Sequence, residues 1–270
     1  MKRSRPRRNV KIIFPSTITT FTLVFGYLAI IVATTTDNYV KACHLVILAM
    51  VMDALDGKVA RLTNTATDFG IQYDSLADLV GFGVAPCLIY SHFFLHEQKT
   101  DQIYYLLPIM YLVCGGIRLA RFNVTASIYG KSHFVGLPIP AAAFVLLALP
   151  LFHDWTLTYQ PIQDLAVMSY LTKSNLFQAS WVIMMVISIS MISRVRFDTP
   201  GSFFIHRYKI KWVNYAILVL LISLWPLFGL AILFVVTSLY YLLAMFIRGL
   251  FIRLSKTVPP LDGPEDITES

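Results

Sequence analysis

Charge is scarce in this 270-residue chain, with only 14% of residues Asp, Glu, Lys or Arg, against about 25% in an ordinary soluble domain. That scarcity excludes a water-solvated surface for most of the chain. Cysteine is rarer still. Cys43, Cys87 and Cys114 are an odd number without metal-type spacing, and all lie in apolar segments. This excludes a disulfide framework or a thiolate metal site and leaves small buried hydrophobes. The six histidines (His44, His92, His96, His133, His153, His206) have no ligand spacing either. There is no internal repeat and no low-complexity tract.

What fills the chain instead is apolar, at 57% of residues. The bilayer is therefore the solvent for most of its surface. Apolar segments predict eight spans at about 12–34, 40–61, 71–95, 103–122, 135–152, 176–192, 212–225 and 227–251. The last two are one apolar stretch divided at Pro226 and Gly229, since a single helix of that length is too long for one crossing. The expected fold class is all-α, a polytopic transmembrane helical bundle. A basic N-terminus (1–11) precedes one transmembrane catalytic domain (12–256). Its core covers about 12–192, the extra C-terminal spans 212–251, and a polar tail 257–270 follows.

The net charge of +7 at first suggests nucleic acid, but its placement argues otherwise. Six of the 22 Lys and Arg lie in the first eleven residues, and most others flank apolar runs. With the N-terminus in the cytoplasm and sides alternating, 19 basic residues fall on the cytoplasmic side and three (Lys41, Lys99, Lys173) opposite. That is a strong positive-inside asymmetry, which puts both termini in the cytoplasm. Basic residues beside apolar helices fit anionic headgroups, so the expected partner is the lipid bilayer and not nucleic acid.

Acidic residues are the anomaly. Five of the 15 lie between Asp53 and Asp78, and four of these fall inside spans two and three. An ionised carboxylate costs at least ~2.5–3.5 kcal/mol near a helix centre and less toward the interface. Cations are the simplest way to stabilise four together. Asp53 and Asp56 are i, i+3 and share one face of the second helix. Asp74 and Asp78 are i, i+4 and share one face of the third. The short connection between these helices makes them antiparallel neighbours, so the pairs can converge. All-oxygen sites suit hard cations such as Mg²⁺ or Mn²⁺. Two carboxylate pairs suit a two-metal site for phosphoryl displacement. Gly57 and Ala60 leave room beside the carboxylates, Gly70 allows a tight helix entry, Arg61 suits phosphate, and Thr67 offers a hydroxyl. Asp68, outside the pairs, suits a helix N-cap. An ion pathway or a cation-coupled transporter is the rival reading of such a cluster.

The eight fixed residues Asp53, Asp56, Gly57, Ala60, Arg61, Gly70, Asp74 and Asp78, at this spacing, resemble the full signature of the CDP-alcohol phosphotransferases. The resemblance implies that Asp53, Asp56, Asp74 and Asp78 are metal ligands. Asp78 is by the same likeness the general base for the acceptor hydroxyl. Gly57, Ala60, Arg61, Thr67 and Gly70 would line the CDP-lipid pocket. A segment at the start of the first helix would join them, here Pro15-Ser16-Thr17-Ile18-Thr19, with Thr17 and Thr19 as candidates. Asn commonly follows that proline, and Ser16 replaces it.

Three further stretches resemble the membrane-embedded bacterial phosphatidylserine synthases of that family. They are Gly81-Phe82-Gly83-Val84-Ala85-Pro86, Arg118-Leu119-Ala120-Arg121-Phe122-Asn123, and Gly136-Leu137-Pro138-Ile139-Pro140-Ala141-Ala142-Ala143. The first departs from the common version, which has Ser where Gly81 stands. The likeness implies CDP-diacylglycerol and L-serine as substrates, phosphatidylserine and CMP as products, a homodimer, and a multi-pass protein of the cell (inner) membrane with its site facing the cytoplasm. Arg118, Arg121 and Lys131 are the basic residues expected to meet the serine carboxylate. An inositol phosphate or glycerol phosphate acceptor would also want basic residues, so charge alone does not select the alcohol.

Overall fold

The computed structural model describes residues 8–36, 38–63, 67–96, 102–129, 134–158, 173–193 and 196–197. Spans seven and eight, the tail and all but two residues of 194–211 lie outside them. Among the described residues seven α-helices run in chain order: α1 (Arg8–Thr35), α2 (Tyr39–Thr63), α3 (Asp68–Asp78), α4 (Ala85–Ser91), α5 (Leu106–Tyr129), α6 (Ile139–Thr158) and α7 (Lys173–Ile192). A π-helical segment, Leu79–Val84, joins α3 to α4, and a second, His92–His96, follows α4. The third span is thus one long rod, 68–95, with two widened turns.

Five of these rods are long and apolar enough to cross a membrane (Thr17–Thr35, Asp68–Leu95, Ile103–Val124, Ile139–Thr158 and Lys173–Ile192). The chain is a membrane-embedded helical protein. α2, at 25 residues, is about 37 Å long. It falls outside that apolar class because it carries Lys41, Asp53, Asp56, Lys58 and Arg61.

The fold departs from the all-α expectation in one small respect. β1 (Phe134–Val135) pairs antiparallel with β2 (Arg196–Phe197), Phe134 facing Phe197 and Val135 facing Arg196. The pairing ties the entry of α6 to the chain just beyond α7.

Small residues hold the helices close, as they must where lipid tails remove the hydrophobic drive between spans. α1 and α2 share the most extensive contact of the bundle. Both bury small side chains at helical spacing, Ala29 and Ala33 on α1 and Ala42, Cys43, Val46 and Ala49 on α2. The three cysteines are free and buried, as expected of small apolar fillers. Where α1 crosses the third span, Gly26 meets Gly81: a Cβ on Gly26 would lie 2.7 Å from the Gly81 Cα. The reverse is not true. A Cβ on Gly81 would sit 3.7 Å from Thr22, in ordinary contact. The serine common at this position is therefore sterically acceptable here, and only Gly26 is obligatory.

At the C-terminal end of α7 a second close approach is built. Gly136 has φ 85°, a region that favours glycine, and a Cβ there would strike the Met191 carbonyl. Leu137 N–H donates to Ser190 O at 3.0 Å. The Gly-Leu-Pro stretch therefore docks the start of α6 on the C-terminal end of α7.

Candidate functional site

The four aspartates come from two neighbouring rods, as their spacing predicts. One carboxylate oxygen each from Asp53, Asp56 and Asp74 lies within 4.8 Å of the others. Asp53 and Asp74 are half-buried, while Asp56 is 5% and Asp78 9% exposed. Asp78 stands outside the tight group of three yet interacts electrostatically with Asp53, Asp74 and Asp56. Its Oδ1 is buried, with no hydrogen-bond partner among the described residues.

This arrangement fits a divalent cation. The donors are all carboxylate oxygens, which hard cations prefer. The like charges repel at short range in a medium that screens poorly. A buried carboxylate oxygen without a donor carries a desolvation penalty that a cation would offset.

Asp56 is held by two donors. Its Oδ2 accepts from Thr19 Oγ1 on α1 at 2.5 Å, and the Gly57 backbone amide also donates to the carboxylate. Thr19 is itself 4% exposed. Its hydroxyl is directed at the carboxylate and holds that oxygen in place. Hydrogen-bond partners of this kind, one step behind a metal ligand, typically change affinity or activity 10–100-fold (roughly) when removed. Thr19→Val, which keeps shape and loses the donor, is expected to weaken Mn²⁺ binding by about that factor. Titration of the purified protein by electron paramagnetic resonance measures it, and an unchanged affinity would remove Thr19 from the site.

The remaining sequence candidates divide. Gly57 and Ala60 lie half-buried on the carboxylate side of α2. Thr17 is on α1, half a turn before Thr19. Thr67 caps α3: its Oγ1 accepts from Gly70 N–H at 3.1 Å, and its φ and ψ are extended. This corrects the assignment of the cap to Asp68. Asp68 is instead the first residue of the helix, where a negative charge suits the macrodipole. Gly70 is bare beside that cap, where a Cβ would lie 3.2 Å from Thr67 Oγ1. Arg61 continues α2, but its side chain, like the whole of Lys131, lies outside the described residues.

The two arginines of α5 have different neighbours. Arg118 is 5% exposed, interacts electrostatically with Asp78, and lies over the Phe122 ring at 5.4 Å. Arg121 instead donates to the carbonyls of Ile192 (2.8 Å), Met191 (3.1 Å) and Ser193 (3.3 Å). Those are the terminal carbonyls of α7, which a helix cannot satisfy internally. Its guanidinium is engaged with that helix end.

Two contacts beside the aspartates were not foreseeable from motif spacing. Asn123 Nδ2 donates to Gln72 Oε1 at 3.1 Å and to Ser75 Oγ at 2.9 Å, tying α5 to α3 next to Asp74. Thr20 Oγ1 and Tyr73 Oη lie 3.0 Å apart and join α1 to α3. The third span is thus held from both sides within one turn of Asp74.

Residues 12–192 match the CDP-alcohol phosphatidyltransferase family, which covers the aspartates and every rod just described. The chain belongs to that family. Among curated relatives of the chain, a Helicobacter pylori (strain J99) CDP-diacylglycerol–serine O-phosphatidyltransferase is 42% identical over 135 residues, 50% of this chain and 56% of the relative. The Methanocaldococcus jannaschii protein of the same name is 30% identical over 196 residues, 72% of this chain and 78% of the relative. The Saccharomyces cerevisiae protein of that name is 43% identical over 120 residues, 42% of each chain. The chain spans only a little over half the length of the Helicobacter relatives it matches.

Proposed function

We propose that the chain transfers the phosphatidyl group of CDP-diacylglycerol to L-serine, giving phosphatidylserine and CMP. One observation carries this reading: three carboxylates from facing rods within 4.8 Å, with a buried fourth beside them, inside the region that matches the family. The choice of serine follows the acceptor in the names of the relatives.

In this reading Asp53, Asp56, Asp74 and Asp78 hold Mg²⁺ or Mn²⁺, which when bound neutralises pyrophosphate charge and favours departure of CMP. Gly57 and Ala60 give the nucleotide room along α2, with Arg61 and Thr17 at its phosphates. Asp78 accepts the proton of the serine hydroxyl. The hydroxyl oxygen forms a bond to the lipid-bearing phosphorus, and the bond from that phosphorus to the bridging oxygen breaks. The electron pair leaves with CMP, and no covalent enzyme intermediate is needed. Arg118, beside Asp78, is suited to the serine carboxylate, which would set the hydroxyl toward the base. Arg121 serves by closing the end of α7. The site faces the cytoplasm, on the side where 19 of 22 basic residues fall. The acyl chains stay in the bilayer of the cell membrane, and the enzyme works as a homodimer.

The test is CMP release by purified protein with CDP-diacylglycerol, a divalent cation and a panel of alcohols. Serine is expected to stimulate release, and a chelator to stop it. Stimulation by inositol phosphate or glycerol phosphate without any by serine would replace the acceptor. No release with any alcohol would refute the reaction.

A further inference from the structure

The widened turn directly after Asp78 has a specific support, in Tyr111 on α5. The π segment begins at Leu79, so Asp78 is the last residue before the change of helical pitch. Its end is marked by a bond from Ala85 N–H to Val80 O, a five-residue step where an α-helix takes four. A π turn is rare, strains the ladder on either side, and recurs at functional sites. Left without support, it has an α-helical alternative that would rotate one side of the turn against the other.

Tyr111 supplies the support. Its hydroxyl donates to the Phe82 carbonyl at 2.8 Å, and both residues are fully buried. The next residue presses on the same turn: the bare Cα of Gly83 admits Leu112, whose Cδ1 would lie 3.0 Å from a Cβ at that position. α1 closes the other side through Gly26 against Gly81. The turn is therefore gripped at three successive residues.

Spacing connects this grip to the site. Tyr111 and Arg118 are seven residues apart, two turns along one face of α5. Asp78 and Phe82 are four residues apart on the third span. Tyr111 meets Phe82, and Arg118 interacts with Asp78. Two rods are thus joined at two levels, one a neutral hydrogen bond and the other an electrostatic pair. Fixing the first sets the rotation of both rods at the second.

We infer that Tyr111 is a positioning residue, whose bond to the Phe82 carbonyl holds the π turn so that Asp78 and Arg118 face each other over the acceptor. This rests on the serine-transfer reading for its kinetic consequence, but not for its structural one. No contact of Tyr111 with substrate is involved.

The experiment compares Tyr111→Phe with Tyr90→Phe. Tyr90 is an equally buried tyrosine whose hydroxyl lies 2.7 Å from Ser180 Oγ, away from the aspartates. Tyr111→Phe is expected to lower kcat for CMP release by about 10-fold or more, since small misplacements of reacting groups are that costly. KM for CDP-diacylglycerol should stay within about twofold, because the groups proposed to bind the nucleotide lie on α1 and α2. Tyr90→Phe should leave kcat unchanged, and 4-aminophenylalanine at 111, which keeps a donor, should restore it. A second readout needs no turnover: the paramagnetic resonance spectrum of bound Mn²⁺ should differ from wild type in Tyr111→Phe and superimpose on it in Tyr90→Phe. Unchanged kcat and spectrum in Tyr111→Phe would overturn the inference. So would equal losses in both variants, or a Tyr111→Phe protein that no longer folds, since either makes the bond one of general stability. Wild-type protein that releases no CMP with any alcohol refutes the reaction instead, and the spectral comparison then decides Tyr111 by itself.

Discussion

Asp78→Asn is expected to reduce CMP release by about 10³-fold, within the range that a positioned base contributes, while CDP-diacylglycerol still binds. The substitution is nearly isosteric, so the packing around a residue 9% exposed is kept. What changes is chemistry. An amide oxygen accepts hydrogen bonds but does not take a proton at neutral pH. The fold should not suffer, because Asp78 loses the repulsion of three aspartates against the attraction of the one arginine, Arg118. The cation-free variant is therefore expected to melt no lower than wild type. Rapid-quench measurement of CMP, with nucleotide-lipid binding by calorimetry, separates the two effects. Turnover within about tenfold of wild type would remove Asp78 from the role of base.

Asp56→Asn is expected to be equally severe by a different route. Asp56 is held in the tight cluster by Thr19 and the Gly57 amide. Replacing it removes one charge from the three carboxylates that approach within 4.8 Å. Bound Mn²⁺ should then fall to the level seen in a chelator, and CMP release with it. Raising the cation concentration should recover part of the activity here, and none in Asp78→Asn. Both variants responding alike to added cation would merge the roles assigned to these two aspartates.

The sequence displayed those roles unevenly, for physical reasons. Spacing along one helix reports which side chains share its face, so the pairs Asp53/Asp56 and Asp74/Asp78 were readable, as was their convergence across a short connection. Periodicity reports nothing about a partner on another rod. Thr19 and Asp56 lie 37 residues apart, and no local pattern announces their bond. Arg118 and Arg121 are both basic residues near the mouth of the site, and that position alone does not report that Arg121 bonds the three carbonyls at the end of α7. Thr67 and Asp68 are both good caps, and adjacent residues of that kind cannot be ranked by composition. The π turn after Asp78 is hidden because one extra residue in a uniformly apolar rod leaves no polar marker out of phase. The pairing of Phe134–Val135 with Arg196–Phe197 is too short to show strand alternation.

The bond between Thr19 and Asp56 also bears on how the protein is made. Chains enter the membrane N-terminus first, at about 5–20 residues per second during synthesis. α1 and α2 therefore reach the bilayer ahead of Asp74, Asp78 and Tyr73, and Asp56 arrives without the half of its site that the third span supplies. Thr19 is already there. The hydroxyl of the first helix gives the most deeply buried carboxylate of the second a partner within the first hairpin to insert, so the nascent chain carries its least soluble charge through assembly with a donor in hand.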